Sequence, residues 1–91
     1  KGDYLTFALE NGAKIDGLSI AFTRENGLET DFEIQLSGGG GQFLTVYSGT
    51  IKEYGKLLPF TFKGTTASDV RIVLGSDRVG ISEVKVKQLR R

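Results

Sequence analysis

Residues 69–86 read DVRIVLGSDRVGISEVKV, and this stretch is the best guide to the fold. On either side of the polar segment 75–80, apolar residues occupy every second position: Val70, Ile72, Leu74, Val84 and Val86. Alternation with a period of two is typical of a half-buried β-strand, so the stretch predicts two strands joined by a short loop. The same unit recurs along the rest of the chain, which predicts a small all-β protein.

Length and composition limit what such a protein can be. At 91 residues the chain is short enough for one domain, so we assign residues 1–91 to a single β-sandwich. Basic and acidic residues nearly balance and are interspersed, which disfavours nucleic-acid binding, because such proteins concentrate positive charge on one face. The absence of cysteine and histidine removes disulfides, thiolate zinc sites and the commonest general base. No signal peptide and no apolar run of membrane-spanning length is present, so no membrane partner is expected.

The alternating segments predict about seven antiparallel strands in a β-sandwich of the jelly-roll type. Five strands are expected at residues 4–9, 14–22, 30–36, 43–48 and 57–63, and the last two lie within residues 69–86. Turns are expected between them, among others at residues 10–12 and 64–68. Gly17 is expected to mark a bulge, and four consecutive glycines at residues 38–41 predict a flexible turn.

The aromatic residues divide into a core set and a candidate binding set. Phenylalanines on the apolar faces are assigned to the core: Phe7, Phe22, Phe32, Phe60 and Phe62. The candidates for a stacking platform are the tyrosines Tyr4, Tyr47 and Tyr54. In the fourth strand Leu44 and Val46 are expected inside, which places Tyr47 on the outer face. An exposed Tyr47 could bind a sugar or another protein, although packing under a neighbouring loop is the interpretation we favour.

The order of the segments also resembles a known family. Successive strands of the F5/8 type C, or discoidin, domain are similar to GDYLTFALENGAKIDGLSIAF, TDFEIQLS, FLTVYSGT, LLPFTF, ASDVRIVLGS and ISEVKV. The nearest resemblance is to family 32 carbohydrate-binding modules, found in bacterial polysaccharide-degrading enzymes, and it runs from about Asp3 to Lys87. It implies a secreted, non-catalytic domain whose partner is a polysaccharide or oligosaccharide.

The resemblance implies where a sugar would bind. In the family, loops at one end of the sandwich hold the sugar: aromatic rings stack on it while polar and charged side chains bond its hydroxyls. Arg24, Glu25 and Asn26 match one such loop, and Asp77 and Arg78 occupy a shortened last loop. These five residues, together with the tyrosine of the fourth strand, are the candidate ligand contacts.

Two further expectations come from the same resemblance. Glu83 matches a side-chain ligand of the structural calcium of the family, but calcium needs six to eight oxygens, and the other ligands come mainly from an N-terminal segment without a counterpart here. No cofactor is therefore expected. The same segment holds the first strand in the family, so one sheet edge should be unpaired, and an open edge favours a homodimer.

Alternatives to a sugar-binding module remain. Shortened loops are also typical of an engineered or minimised β-sandwich scaffold without ligand binding. A protein- or lipid-binding discoidin domain would display apolar loop tips, whereas residues 23–27 and 76–80 are polar. An enzyme is not expected: Asp31 and Glu33 share a strand face, and a solvated face explains such a pair without chemistry.

Overall fold

The computed structural model describes residues 4–24, 29–76 and 78–89, with the backbone alone for Glu10, Asn11 and Arg24. These residues form five strands: β1 (Tyr4–Arg24), β2 (Thr30–Ser37), β3 (Leu44–Ile51), β4 (Leu57–Leu74) and β5 (Val79–Gln88). All neighbouring strands pair antiparallel, in the order β3-β2-β4-β1-β5, which confirms the predicted fold class. No helix in the described part of the chain could span a membrane.

β1 and β4 are long because each joins two of the predicted strands. Residues 10–12 and 64–68 lie within continuous strand and do not reverse the chain, so the two turns predicted there are wrong. Instead, the β1–β4 ladder changes register between Ala8 and Ala13 and again directly before Gly17. A register shift of this kind bends the strands and increases their twist, so the chain turns a corner without leaving the sheet. The bulge expected at Gly17 is confirmed.

The bends fold the single sheet over itself into two layers. The first layer contains β3, β2, residues 69–74 of β4 and residues 4–8 of β1; the second contains residues 57–61 of β4, residues 17–21 of β1, and β5. Rings from the two layers meet between them, since the Phe32 centroid lies 5.2 Å from that of Phe22 and 4.9 Å from that of Phe60. The β-sandwich is therefore present, and it is built from five strands within the described residues.

The core between the layers is built largely from apolar residues that alternate along the strands. Fully buried side chains include Ile15, Leu18, Ile20, Phe22, Ile34, Ile51, Val70 and Ile72. Of the five phenylalanines assigned to the core, Phe22 and Phe32 are buried, and the other three are half-buried against the same cluster. Tilted and edge-on ring pairs of this kind each add about 0.5–1.5 kcal/mol beyond the burial of their surface.

β3 departs from the predicted alternation at a bulge. Ile34 of β2 pairs with Tyr47, but its neighbour Gln35 pairs with Thr45, so Val46 is an extra residue without a partner in the ladder. Since one extra residue exchanges the two faces of a strand, Tyr47 points into the core, where its ring centroid lies 5.7 Å from that of Phe32. The expectation of an outward-facing Tyr47 is wrong. Leu44 shares the inner face by register, as expected, but it is 71% exposed at the end of the strand.

The two ends of the sandwich differ in how the chain passes between layers. At one end β1 and β4 bend from one layer into the other, and we call this the bent end. We call the opposite end the loop end; the described strand termini there are Tyr4, Arg24, Thr30, Ile51, Leu57, Leu74 and Val79. Hydrogen bonding ties connections to the sheet here, since the Gly75 N–H donates to the Asp31 carbonyl oxygen at 2.9 Å.

Candidate functional site

Two of the sequence segments that contain predicted ligand contacts are attached to the sheet at the loop end. Arg24, the last residue of β1, pairs through its backbone with Val79, the first residue of β5. One predicted loop follows Arg24 directly in the sequence, and the other ends at Arg78, directly before Val79. Both segments therefore join the sheet at neighbouring points of one antiparallel ladder.

Arg78 is the one predicted ligand contact at the loop end whose side chain the structure describes. Outside the described residues lie Glu25, Asn26, Asp77 and the side chain of Arg24. Arg78 is exposed, and its backbone N–H donates a hydrogen bond to Ser76 Oγ at 3.1 Å, as is common in tight turns. Within the described residues the one ion pair joins Lys56 and Glu53, so no carboxylate there neutralises the guanidinium of Arg78.

A third connection at the loop end, residues 52–56, contains Tyr54, which is a predicted stacking candidate but not one of the six predicted ligand contacts. The Gly55 N–H donates to the Phe22 carbonyl oxygen at 2.9 Å, and this bond holds the connection against β1 close to its last residue. Gly55 has a φ of 83°, which favours glycine. Tyr54 is half-buried against the core cluster. An aromatic residue among charged residues and glycine, between two strands, is the sequence signal that could have added Tyr54 to the predicted ligand contacts.

Tyr47 and Glu83 are not at the loop end. Tyr47 pairs with Ile34 in the middle of β3, and its ring lies inside the sandwich, 5.2 Å from the centroid of Phe60. Glu83 is exposed on β5, opposite Ala21. Among the described residues no three acidic, histidine or cysteine side chains group together as metal ligands, so Glu83 belongs to no such cluster there.

The side chains of Asp31 and Glu33 on β2 accept hydrogen bonds from neighbouring side chains on the outer face of the sheet. Asp31 Oδ1 accepts a hydrogen bond from Thr50 Oγ1 at 3.0 Å. Glu33 Oε1 accepts two, from Thr45 Oγ1 and from Gln35 Nε2, each at 3.0 Å. The two threonine contacts join β3 to β2, and cross-strand contacts of this type stabilise a solvated sheet face, as predicted for these two acids.

Arg71 provides a contrast to the arginines of the loop end. It lies on the outer face of the first layer, where its guanidinium carbon is 3.9 Å from the ring centroid of Phe43 and 4.8 Å from that of Tyr4. Its Nε donates a long hydrogen bond of 3.4 Å to Thr6 Oγ1. Contacts of a cation with exposed rings stabilise by about 0.5–1 kcal/mol, so a structural role accounts for Arg71.

Several solved structures similar to this chain contain carbohydrate-binding modules. CBM32 of AlyQ, in complex with 4,5-unsaturated mannuronic acid, matches with a TM-score of 0.76 and 29% identity, over 94% of this chain and 70% of that one. Truncated AlyQ with CBM32 and alginate lyase domains matches with a TM-score of 0.80 and 26% identity, over 100% of this chain and 25% of that one. CpGH89CBM32-5 from Clostridium perfringens, in complex with GalNAc-β-1,3-galactose, has a TM-score of 0.77 and 24% identity, over 92% and 64% of the two chains.

These matches confirm the resemblance inferred from the sequence. The chain has the jelly-roll sandwich fold of family 32 carbohydrate-binding modules, and with the AlyQ module it shares sequence similarity as well. The match to the Clostridium module, at 24% identity, supports the fold alone. Neither a protein-family model nor a curated protein sequence matches the chain.

Proposed function

We propose that this chain is a non-catalytic carbohydrate-binding domain that recognises a polysaccharide or oligosaccharide at its loop end. The observation that carries the proposal is the pairing of Arg24 with Val79, because it joins two polar segments to the sheet side by side. The similar AlyQ module was solved with a bound sugar acid, which supports a sugar as the class of ligand. Recognition of glycans also motivates a second part of the proposal, a location outside the cell.

The residue types at the loop end suit a sugar, which offers hydroxyl groups at its edge and apolar C–H groups on its faces. Arg24 and Arg78 would donate hydrogen bonds to hydroxyl or carboxylate oxygens. Glu25, Asn26 and Asp77 would accept from hydroxyl groups. The half-buried Tyr54 would supply the apolar surface against which a ring can rest. Each role is binding, and none requires a bond to be made or broken.

Isothermal titration against a panel of glycans tests the proposal. The panel includes oligomannuronate and GalNAc-β-1,3-galactose, since these resemble the ligands of the similar modules. We expect dissociation constants from about 1 μM to about 1 mM. Arg78→Ala and Arg24→Ala should each weaken binding at least about tenfold, because a hydrogen bond from a charged group contributes about 1.5–3 kcal/mol. Arg71→Ala, the same substitution on the sheet face, should leave the affinity unchanged.

Two results would contradict the proposal. If no glycan of the panel binds to the folded chain, the minimised scaffold without a ligand becomes the better description. If Arg71→Ala weakens binding as much as the loop-end substitutions do, the sugar lies on the outer sheet face instead. Circular dichroism of each variant shows whether the fold is intact before affinities are compared.

A further inference from the structure

Residues 4–8 of β1 form a free sheet edge in the first layer. On one side they pair with β4, from Tyr4 opposite Val73 to Ala8 opposite Asp69. β5 pairs with β1 only from Ile15 onward, so among the described strands none covers the other side of residues 4–8. A free edge presents a row of unpaired backbone N–H and C=O groups, which is a template for another strand.

Beside this edge a surface groove leads from the solvent into the space between the two layers. The groove has a volume of about 350 Å³. Its apolar lining comes from both layers and consists of Leu5, Phe7, Ile81 and Val84, and its polar lining consists of Ser82 and Glu83. Leu5 is 42% exposed although it faces inward, and Tyr4 at the start of the edge is 63% exposed. An added strand here would cover apolar surface and pair backbone groups at the same time.

The other free edges carry features that discourage such pairing. β5 bears exposed charges at Glu83, Lys85 and Lys87. Residues 57–61 of β4 contain Pro59, which lacks a backbone N–H. β3 is interrupted by its bulge. Charge, proline and bulges are the usual means by which proteins protect an edge, and residues 4–9, YLTFAL, contain none of the three.

We propose that the occupant of this edge is a second copy of the same chain, joined antiparallel about a two-fold axis at Thr6. In this register Leu5 lies opposite the partner's Phe7, and both point to the inner face, where they close the two grooves. The segment has no charged residue, so a self-complementary pairing brings no like charges together. The first layers of the two copies then form one continuous sheet. This proposal does not depend on sugar binding.

Sedimentation equilibrium of three proteins tests the interface. We expect the wild type to be a dimer and Leu5→Lys to be a monomer, because an inward-pointing lysine on an edge strand opposes pairing. The matched control is Leu44→Lys, which places the same charge at an exposed leucine of the other edge strand of this layer, and it should remain a dimer. A monomeric wild type at the highest soluble concentration overturns the proposal, and so does a dimer that Leu44→Lys dissociates and Leu5→Lys does not.

A disulfide tests the register independently, because the chain has no cysteine of its own. Thr6→Cys would face its own copy across the axis, where directly opposite Cβ atoms lie about 4.5–5.5 Å apart, close enough for a disulfide after a small shift. We expect mild oxidation to give a covalent dimer of Thr6→Cys. Ala8→Cys, which would face the partner's Tyr4, should not cross-link. A cross-link at Ala8→Cys and none at Thr6→Cys would overturn the proposed pairing.

Discussion

Gly17 occupies a position in β1 at which a side chain has no room. A Cβ built there would lie 2.9 Å from the backbone oxygen of Phe60 on the neighbouring strand and 3.7 Å from Lys87 Cβ on the other. A backbone oxygen in a paired strand cannot rotate away as the end of a flexible side chain can. The glycine therefore permits the close approach of strands next to the second register shift of the β1–β4 ladder.

Gly17→Ala should destabilise the protein by about 1–3 kcal/mol, the usual cost of extra volume in a close-packed interior. Gly40→Ala is the control, since nothing lies within 4 Å of a Cβ built at Gly40, and it should change stability by no more than about 0.5 kcal/mol. Urea unfolding midpoints measure both. Equal midpoints for the two variants would show that the ladder tolerates a side chain at Gly17.

The inward position of Tyr47 could not be predicted from the sequence of β3 alone. The period of two in β3 could be read from the sequence, but the extra residue at Val46 could not, because a bulge depends on how β3 pairs with β2. Gly49 is consistent with an inward Tyr47, because a Cβ there would lie 3.1 Å from Tyr47 Cε1 and 3.4 Å from Phe32 Cε1. The glycine leaves the space in which these two rings pack.

At the scale of elements, the seven predicted segments of alternating residues lie within strands except for Phe43, which precedes β3, and the connections between them were harder to predict. The local signal at residues 11–12 was correct in part, since Gly12 has the positive φ of 57° that Asn-Gly sequences favour. β1 nevertheless continues through this point, because β4 pairs with it on both sides of the register shift. Whether such a signal ends a strand or bends it is decided by the neighbouring strand.

Hydrogen exchange distinguishes the bent strand from two strands joined by a turn. Ala13 pairs with Ala67 and Ile15 with Thr65, both near the bend. If β4 is continuous, the amides at residues 65–67 that face β1 should exchange as slowly as those at residues 70–72. A free turn over residues 64–68 would instead exchange rapidly. Mass spectrometry of deuterated peptides from these two segments, taken from the same sample, gives the comparison.

At the scale of the whole molecule, the sequence predicted the fold more completely than the site. Patterning alone indicated a sandwich, because buried and exposed residues alternate along each strand. The site at the loop end came from the family resemblance, and the position of Tyr54 at that end depends on the hydrogen bond that holds Gly55 against β1, a tertiary contact. The exposed inner-face side chain of Leu5 also required the three-dimensional structure, since its alternation is that of a core residue.

The two proposals together determine how the assembled protein would meet a polysaccharide. Antiparallel pairing about Thr6 reverses the strand direction of the partner, so the loop ends of the two copies would point in opposite directions. Such a dimer would bridge two separate glycan chains, because its two sites do not face one surface. Avidity on a single flat surface would therefore not be expected from this arrangement.

The most direct test of sugar binding at the loop end is an NMR titration of the isotope-labelled chain with the glycan that binds best. The largest amide shift changes should occur at the loop end, among them those of Arg24, Gly55 and Arg78, while the glycine run at the bent end, residues 38–41, should remain unchanged. Changes that centre on the bent end or around Arg71, or no changes at saturating glycan, would contradict the account.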